Sequence, residues 1–334
     1  MERTNAYSLL DFLDNSPCNF FAIATIQRYL DDNGFQELKQ SERWNLEKGG
    51  KYYVKKNDTA IFGFVIGETP LDQSGFNMIS AHSDSPCFRI KPNPEMLADG
   101  VLKLNTEVYG GPILYTWFDR PLSLAGRVIV RNPQNPARPI TKLIDFASPV
   151  LIIPHLAIHF NRNVNAGNPL SKQKDMLPIA AIVSDSMSKN NFLIDQIKER
   201  LEIADSKDIL DFDLMLYNCQ KSQLVGFNKE FICSGRIDDL SMAHAALSAL
   251  LNSDNPATTK VMAIFDNEET GSGTKQGAAS PVLASILHRV STCMGLDDEG
   301  FYQALSRSFL VSADNAHAAH PNYPEKYDPT NHPK

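Results

Sequence analysis

The 334-residue chain has no apolar run approaching the roughly 20 residues that a membrane span needs. Its opening, Met1-Glu2-Arg3-Thr4-Asn5, lacks the basic then apolar layout of a secretory signal. Positive charge is in short supply. The 32 basic residues stand against 39 acidic ones, a net charge of −7, which argues against a nucleic-acid or anionic-membrane surface as the main partner. Cysteine is sparse too: Cys18, Cys87, Cys219, Cys233 and Cys293 are odd in number and show no C-x-x-C spacing. A disulfide framework or a thiolate zinc site is therefore not expected, and reduced thiols in a cytoplasmic protein are. No internal repeat or low-complexity segment is present, and the length allows two domains.

What the chain does have is acid at the ends of apolar runs. Residues 261–265, Val-Met-Ala-Ile-Phe, read as a buried strand and empty into Asp266-Asn267-Glu268-Glu269-Thr270-Gly271. In open α/β sheets ligands sit beyond the carboxyl ends of strands. If this segment is extended, Glu268 and Glu269 point in different directions, so that one can bind a metal while the other serves as a base. A solvated acidic turn is the plain alternative.

Residues 6–33 read as helical with a break at Asn15-Ser16-Pro17, where Ser16 is placed to cap a second helix begun by Pro17. Residues 51–55 and 59–66 form an expected hairpin around Asn57-Asp58. A second strand, 76–81, delivers His82-Ser83-Asp84, and the H-x-D spacing lets Asp84 orient the imidazole of a metal-bound His82. From about 91 to 231 prolines and turn residues become dense between short β-rich runs, with one helical stretch at 191–204. That texture predicts an inserted, mostly β domain, with 1–90 and 232–334 forming the catalytic domain around it. Inside the insertion, Ile153-Pro154-His155-Leu156-Ala157-Ile158-His159 places two histidines at helical i, i+4 spacing. Beyond it, Arg236-Ile237-Asp238-Asp239 precedes an apolar helix at 241–251, where an aspartate can either cap the helix or bridge two metals. A third strand, 308–313, ends at Asp314.

His82, Glu269 and Asp314 thus follow strands, and Asp238 heads a helix. Oxygen and nitrogen donors without thiolates suit zinc, with cobalt or manganese as substitutes. The surplus of acids points to two ions about 3.5–4 Å apart, and Glu268, next to a ligand, is the natural general base.

The strings A-H-S-D-S-P, G-G-P-I-L-Y-T-W-F-D-R-P-L-S-L-A-G-R-V, I-P-H-L-A-I-H, G-R-I-D-D-L, D-N-E-E-T-G-S and S-A-D-N-A-H-A-A-H-P-N-Y resemble the aspartyl aminopeptidase family of dinuclear zinc exopeptidases. The resemblance runs from near the N-terminus to about Tyr323. It implies an α/β catalytic domain of the zinc-exopeptidase kind, with a central β-sheet flanked by helices and an inserted dimerisation domain. It implies His82 and Asp314 on one zinc, Asp238 bridging, Glu269 on the other zinc and Glu268 as base. It further implies that His159, with His155 as the fallback, reaches into a partner's site, and that the chain forms homo-oligomers from dimers to dodecamers. Where the family pattern often reads D-N, this chain has Asp238-Asp239, and the bridging role is expected of the first. The family's final segment carries a further histidine ligand and a lysine for acidic substrate side chains; both lie past the point where this sequence stops.

The expected function is a metallo-aminopeptidase that removes N-terminal residues, acidic ones preferentially, from peptides. The alternatives are a catalytically impaired form acting as an oligomerising or metal-binding remnant, and a related zinc deacylase.

Overall fold

The computed structural model describes residues 2–183, 190–254 and 256–333. A six-stranded sheet carries the order Gln36–Glu37, Lys51–Lys56, Ala60–Val65, Thr259–Phe265, Phe76–His82, Phe309–Ser312. Thr259–Phe265 and Phe309–Ser312 both run parallel to Phe76–His82, with Phe265 level with His82 and Ser312 level with Ser80. Three neighbouring strands therefore release their carboxyl ends at one edge of the sheet, which is where the acidic and histidine residues follow. The expected hairpin is present: Asn57 and Asp58 both adopt φ near +57°, a turn conformation these two residue types tolerate well.

Alternation along the central strand splits the core in two. Met262 and Ile264 pack against the helices Glu2–Asp14, Asn19–Asp32 and Ile237–Leu251, while Val261, Ala263 and Phe265 pack against Val282–Cys293 and Asp298–Ser306. Both faces are covered, so residues 261–265 of the strand are apolar without interruption, and the α/β architecture follows from that burial. Gly75 is needed where the chain enters the Phe76–His82 strand: its φ is +65°, and a Cβ would meet the Arg307 backbone at 2.6 Å.

A second six-stranded, antiparallel sheet is built from Cys87–Ala98, Val101–Tyr109, Leu122–Val130, Ile140–Asp145, Ile179–Ile182 and Ile209–Asn218, and the helix Phe192–Arg200 packs on it through Leu193 and Ile197. The chain leaves the first sheet after His82 and returns to it at Thr259. Among the described residues no helix is long and apolar enough to cross a membrane.

Three local expectations are corrected. The second helix starts at Asn19 with Cys18 at the cap position, and Ser16 is fully buried with an unpartnered hydroxyl; burial of this turn against the core overrides its capping chemistry. The His155–His159 segment is not helical: Ile153 pairs with Phe118 in a β-bridge, and only Ile158–Phe160 turns, as a 3₁₀ helix. Glu268 and Glu269 are not extended but share one 3₁₀ turn, Glu268–Thr270, entered through Asn267 at φ +63°.

Candidate metal centre and active site

The three strand ends and the head of Ile237–Leu251 converge. His82, Asp238, Asp239 and Asp314 each bring a donor atom within 4.8 Å of the others. His82 and Asp239 are buried; Asp238 and Asp314 are open to solvent. His82 Nδ1 lies 3.0 Å from the Asp84 carbonyl oxygen and 3.2 Å from its Oδ1, both acceptors, so this nitrogen carries the proton. Nε2 lies 3.5 Å from Asp238 Oδ1 and is the nitrogen a cation would take once its proton is displaced. That is the arrangement of a histidine made ready for a cation, with the carboxylate on its far nitrogen that metal-bound imidazoles use.

Asp84, 2% exposed, does more than orient the imidazole. It accepts the backbone N–H groups of Glu268 and Glu269, each at 3.2 Å, and the Tyr109 hydroxyl at 2.6 Å. Its burial opposes ionisation, yet the donors from His82, Tyr109 and Glu269 win and hold its carboxyl below the usual range. The acid turn is thereby pinned beside the His82 strand end. Glu268 is exposed and Glu269 half-buried. Glu269 does not join the four-residue cluster, but its carboxyl feels the charges of His82, Asp84 and Asp238.

Asp239 was not among the residues the sequence singled out for a role. It is 0% exposed, its Oδ2 accepts the His82 backbone N–H at 3.1 Å, and its Oδ1 accepts Asn315 Nδ2 at 3.0 Å. With both oxygens engaged it braces the site, and Asp238 is the aspartate whose carboxylate remains open. Asn315 also donates to the Ile237 carbonyl at 3.0 Å and accepts from Ser241 Oγ at 3.0 Å, tying the Asp314 loop to the helix head. The sequence signal was only the unusual second acid after Asp238.

The electrostatics call for positive charge. Burial raises the carboxyls of Asp239 and Glu269 to about 7, neighbouring carboxylates adding to it. Burial works against a charged His82, but the hydrogen bond to Asp84 and the carboxylates of Asp84, Asp239 and Glu268 outweigh it and raise the imidazole to about 9. Oxygen and nitrogen donors at these spacings fit a divalent cation such as zinc.

A cavity of about 540 Å³ opens beside Ser85 and Asp238, lined further by Trp117, Arg120, Tyr217 and Arg236. His159 lies outside the cluster, exposed, on a surface with Leu156, Ile158 and Phe160 also exposed. His155 is held by Asp119, which accepts its backbone N–H at 3.0 Å, and by the ring of Phe118.

Residues 12–334 match the M18 family, described as aminopeptidase I zinc metalloprotease. The chain belongs to that family. It is 52% identical over 330 residues to a probable M18 family aminopeptidase 2 of Clostridium novyi, covering 98% of this chain and 76% of the relative. A chain in the cryo-EM structure of the Ape4 and Nbr1 complex superposes with a TM-score of 0.93 at 35% identity, covering 99% of this chain and 67% of that one. The S. cerevisiae mApe1 dodecamer gives a TM-score of 0.84 at 25% identity, covering 98% of this chain and 75% of that one. This M18 chain is accordingly a zinc metallo-aminopeptidase, and the deacylase alternative falls away.

Proposed function

We infer that this M18 chain removes N-terminal residues from peptides, acidic ones in preference, with Glu268 as the general base. The observation that carries the reading is the junction of the His82–Asp238–Asp314 cluster with the Glu268–Glu269 turn through the single carboxylate of Asp84. We assign His82 and Asp314 to one zinc, Asp238 to both and Glu269 to the second. Bound there, the cations would polarise the scissile carbonyl and make water acidic enough to attack it near neutral pH.

The chain's own groups supply the rest. Asp84 keeps the proton on His82 Nδ1, so that Nε2 faces the site. Glu268, exposed on the turn, accepts a proton from the attacking water and returns it to the departing amine nitrogen. The cavity beside Ser85 and Asp238 has room for the peptide. The preference for acidic N-terminal residues rests on the family pattern.

Residues 91–231 are proposed as the dimerisation domain, with 1–90 and 232–334 as the catalytic domain. His159 is the residue proposed to reach a partner's site, His155 being second choice. The exposed Leu156, Ile158 and Phe160 around it suit a surface covered by another copy. A dodecamer is known for the yeast relative, and a closed homo-oligomer is proposed here. The five free cysteines suit a reducing, cytoplasmic setting.

The test is Glu268→Gln in the zinc-loaded protein, assayed on an aminoacyl anilide. Loss of at least ~100-fold in kcat with unchanged zinc content is expected. Full activity in this variant overturns the base assignment. Zinc content bears on the ligand set: two tightly held ions per chain support it, and one or none would overturn the two-zinc assignment.

A further inference from the structure

Tyr109, Asp84 and Asn267 come from three separate stretches of chain and meet in one buried relay. The Tyr109 hydroxyl donates to Asp84 Oδ2 at 2.6 Å and accepts from Asn267 Nδ2 at 2.9 Å. The Asn267 carboxamide oxygen accepts from Thr274 Oγ1 at 2.8 Å and Gln276 Nε2 at 2.9 Å, which fixes its nitrogen toward the tyrosine. Asp84 and Asn267 flank the first sheet's strand ends, whereas Tyr109 closes the Val101–Tyr109 strand of the second sheet. It returns to the site because Tyr109 is in register with Cys87, just past Asp84 in the chain. The next residue touches the same turn: a Cβ on Gly110, whose φ is +68°, would sit 3.1 Å from Glu269 Cβ and Oε2.

Resting on the reading that Glu268 is the base and Glu269 a zinc ligand, we propose that the Tyr109 hydroxyl is a positioning residue for both. It works through Asp84 and Asn267. The Asp84 carboxylate holds the turn through the Glu268 and Glu269 N–H groups, and Asn267 is the turn's entry residue. A short O–H···O⁻ bond in a buried place is among the stronger neutral-donor contacts a protein makes. Without it Asp84 Oδ2 is held by the Glu269 N–H alone, and Asn267 Nδ2 loses its acceptor. The two glutamates then shift relative to His82, and misplacement at that scale lowers turnover more than binding. The end of a strand in the second sheet thereby sets the geometry of the acid turn in the first.

The ring of Tyr109 also packs with Cys18, Phe20 and Cys87, so packing has to be separated from the hydroxyl. Tyr109→Phe keeps the ring; Tyr109→Leu removes both. Each variant of the full chain is loaded with zinc and compared for melting temperature, zinc content, kcat and KM. Cobalt-loaded samples are compared by visible absorption. For Tyr109→Phe the expected result is full zinc content and KM within about twofold, kcat lower by roughly 10- to 100-fold, and a shifted cobalt spectrum. Wild-type kcat and spectrum in Tyr109→Phe, with a defect only in Tyr109→Leu, would reduce Tyr109 to packing and overturn the proposal. Glu268→Gln assayed alongside separates the two claims. If it is inactive while Tyr109→Phe is normal, the link fails and the base assignment stands; if Glu268→Gln is fully active, both fall together.

Discussion

The backbone N–H of His82 donates to the carboxylate of Asp239 at 3.1 Å, joining residues 157 positions apart. The bond fastens the end of the His82 strand to the helix that begins beside Asp238. Asparagine at 239 could accept from His82 but would turn its amide toward the Asn315 amide. Asp239→Asn is expected to weaken zinc binding by roughly 10- to 100-fold, read by chelator competition. Asp239→Ala, which leaves a buried donor unpaired, should also lower stability of the metal-free protein by about 1–3 kcal/mol in denaturant unfolding. Unchanged zinc affinity in both variants would remove the bracing role.

The metal-free protein should lose stability as pH rises. Asp239 and Glu269 titrate near 7 in the fold against ordinary values of 3.8 and 4.5, so the fold holds those protons more tightly than the unfolded chain does. Their stabilising effect is complete below about pH 4 and gone above about 7. His82, raised from 6.5 to about 9, contributes stability that is complete below about 6.5 and lost as pH rises through 9. All three have the same sign. The chelated protein should melt at a higher temperature at pH 6.5 than at pH 9, and zinc, which displaces these protons, should narrow the gap. Equal melting temperatures at both pH values without metal would contradict the cluster's electrostatics.

Gly110→Ala tests the crowding at Glu269. The positive φ alone costs an alanine roughly 1–2 kcal/mol, and the added Cβ meets the glutamate side chain. Lower stability by about that amount and a reduced kcat are expected; a variant with normal unfolding and normal turnover would show that the strand end yields freely.

Thiol reactivity should split by burial. Burial pushes the Cys18 thiol up to about 12 and raises Cys87 further, while Cys233 and Cys293 are exposed. Peptide mapping after brief iodoacetamide treatment at pH 8 should find Cys233 and Cys293 labelled and Cys18 and Cys87 unlabelled. Rapid labelling of Cys18 in the folded protein would mean that the helix start at Asn19 opens readily.

Strand-end chemistry was legible because it is local: an apolar run followed by His82, by Glu268-Glu269 or by Asp314 is visible in a short window. So was the hairpin at Asn57-Asp58, whose turn needs only the conformational tolerance of those two residues. The shape of the glutamate pair was not legible. Its turn is held by Asp84, whose carboxylate meets the Glu268 and Glu269 N–H groups from 184 and 185 positions away. Nor was the non-helical path through His155 and His159, because periodicity cannot reveal that Ile153 finds a β-bridge partner in Phe118.

The amino-acid order by itself determined which donors this protein can offer, oxygen and imidazole rather than thiolate, and that they follow apolar strands. Only the tertiary structure decided that of two adjacent aspartates Asp238 stays open while Asp239 is enclosed, and that a tyrosine from the other sheet grips Asp84. The reason is physical: donor identity is a property of each side chain, but burial and hydrogen-bond partners come from contacts between segments that the sequence keeps far apart.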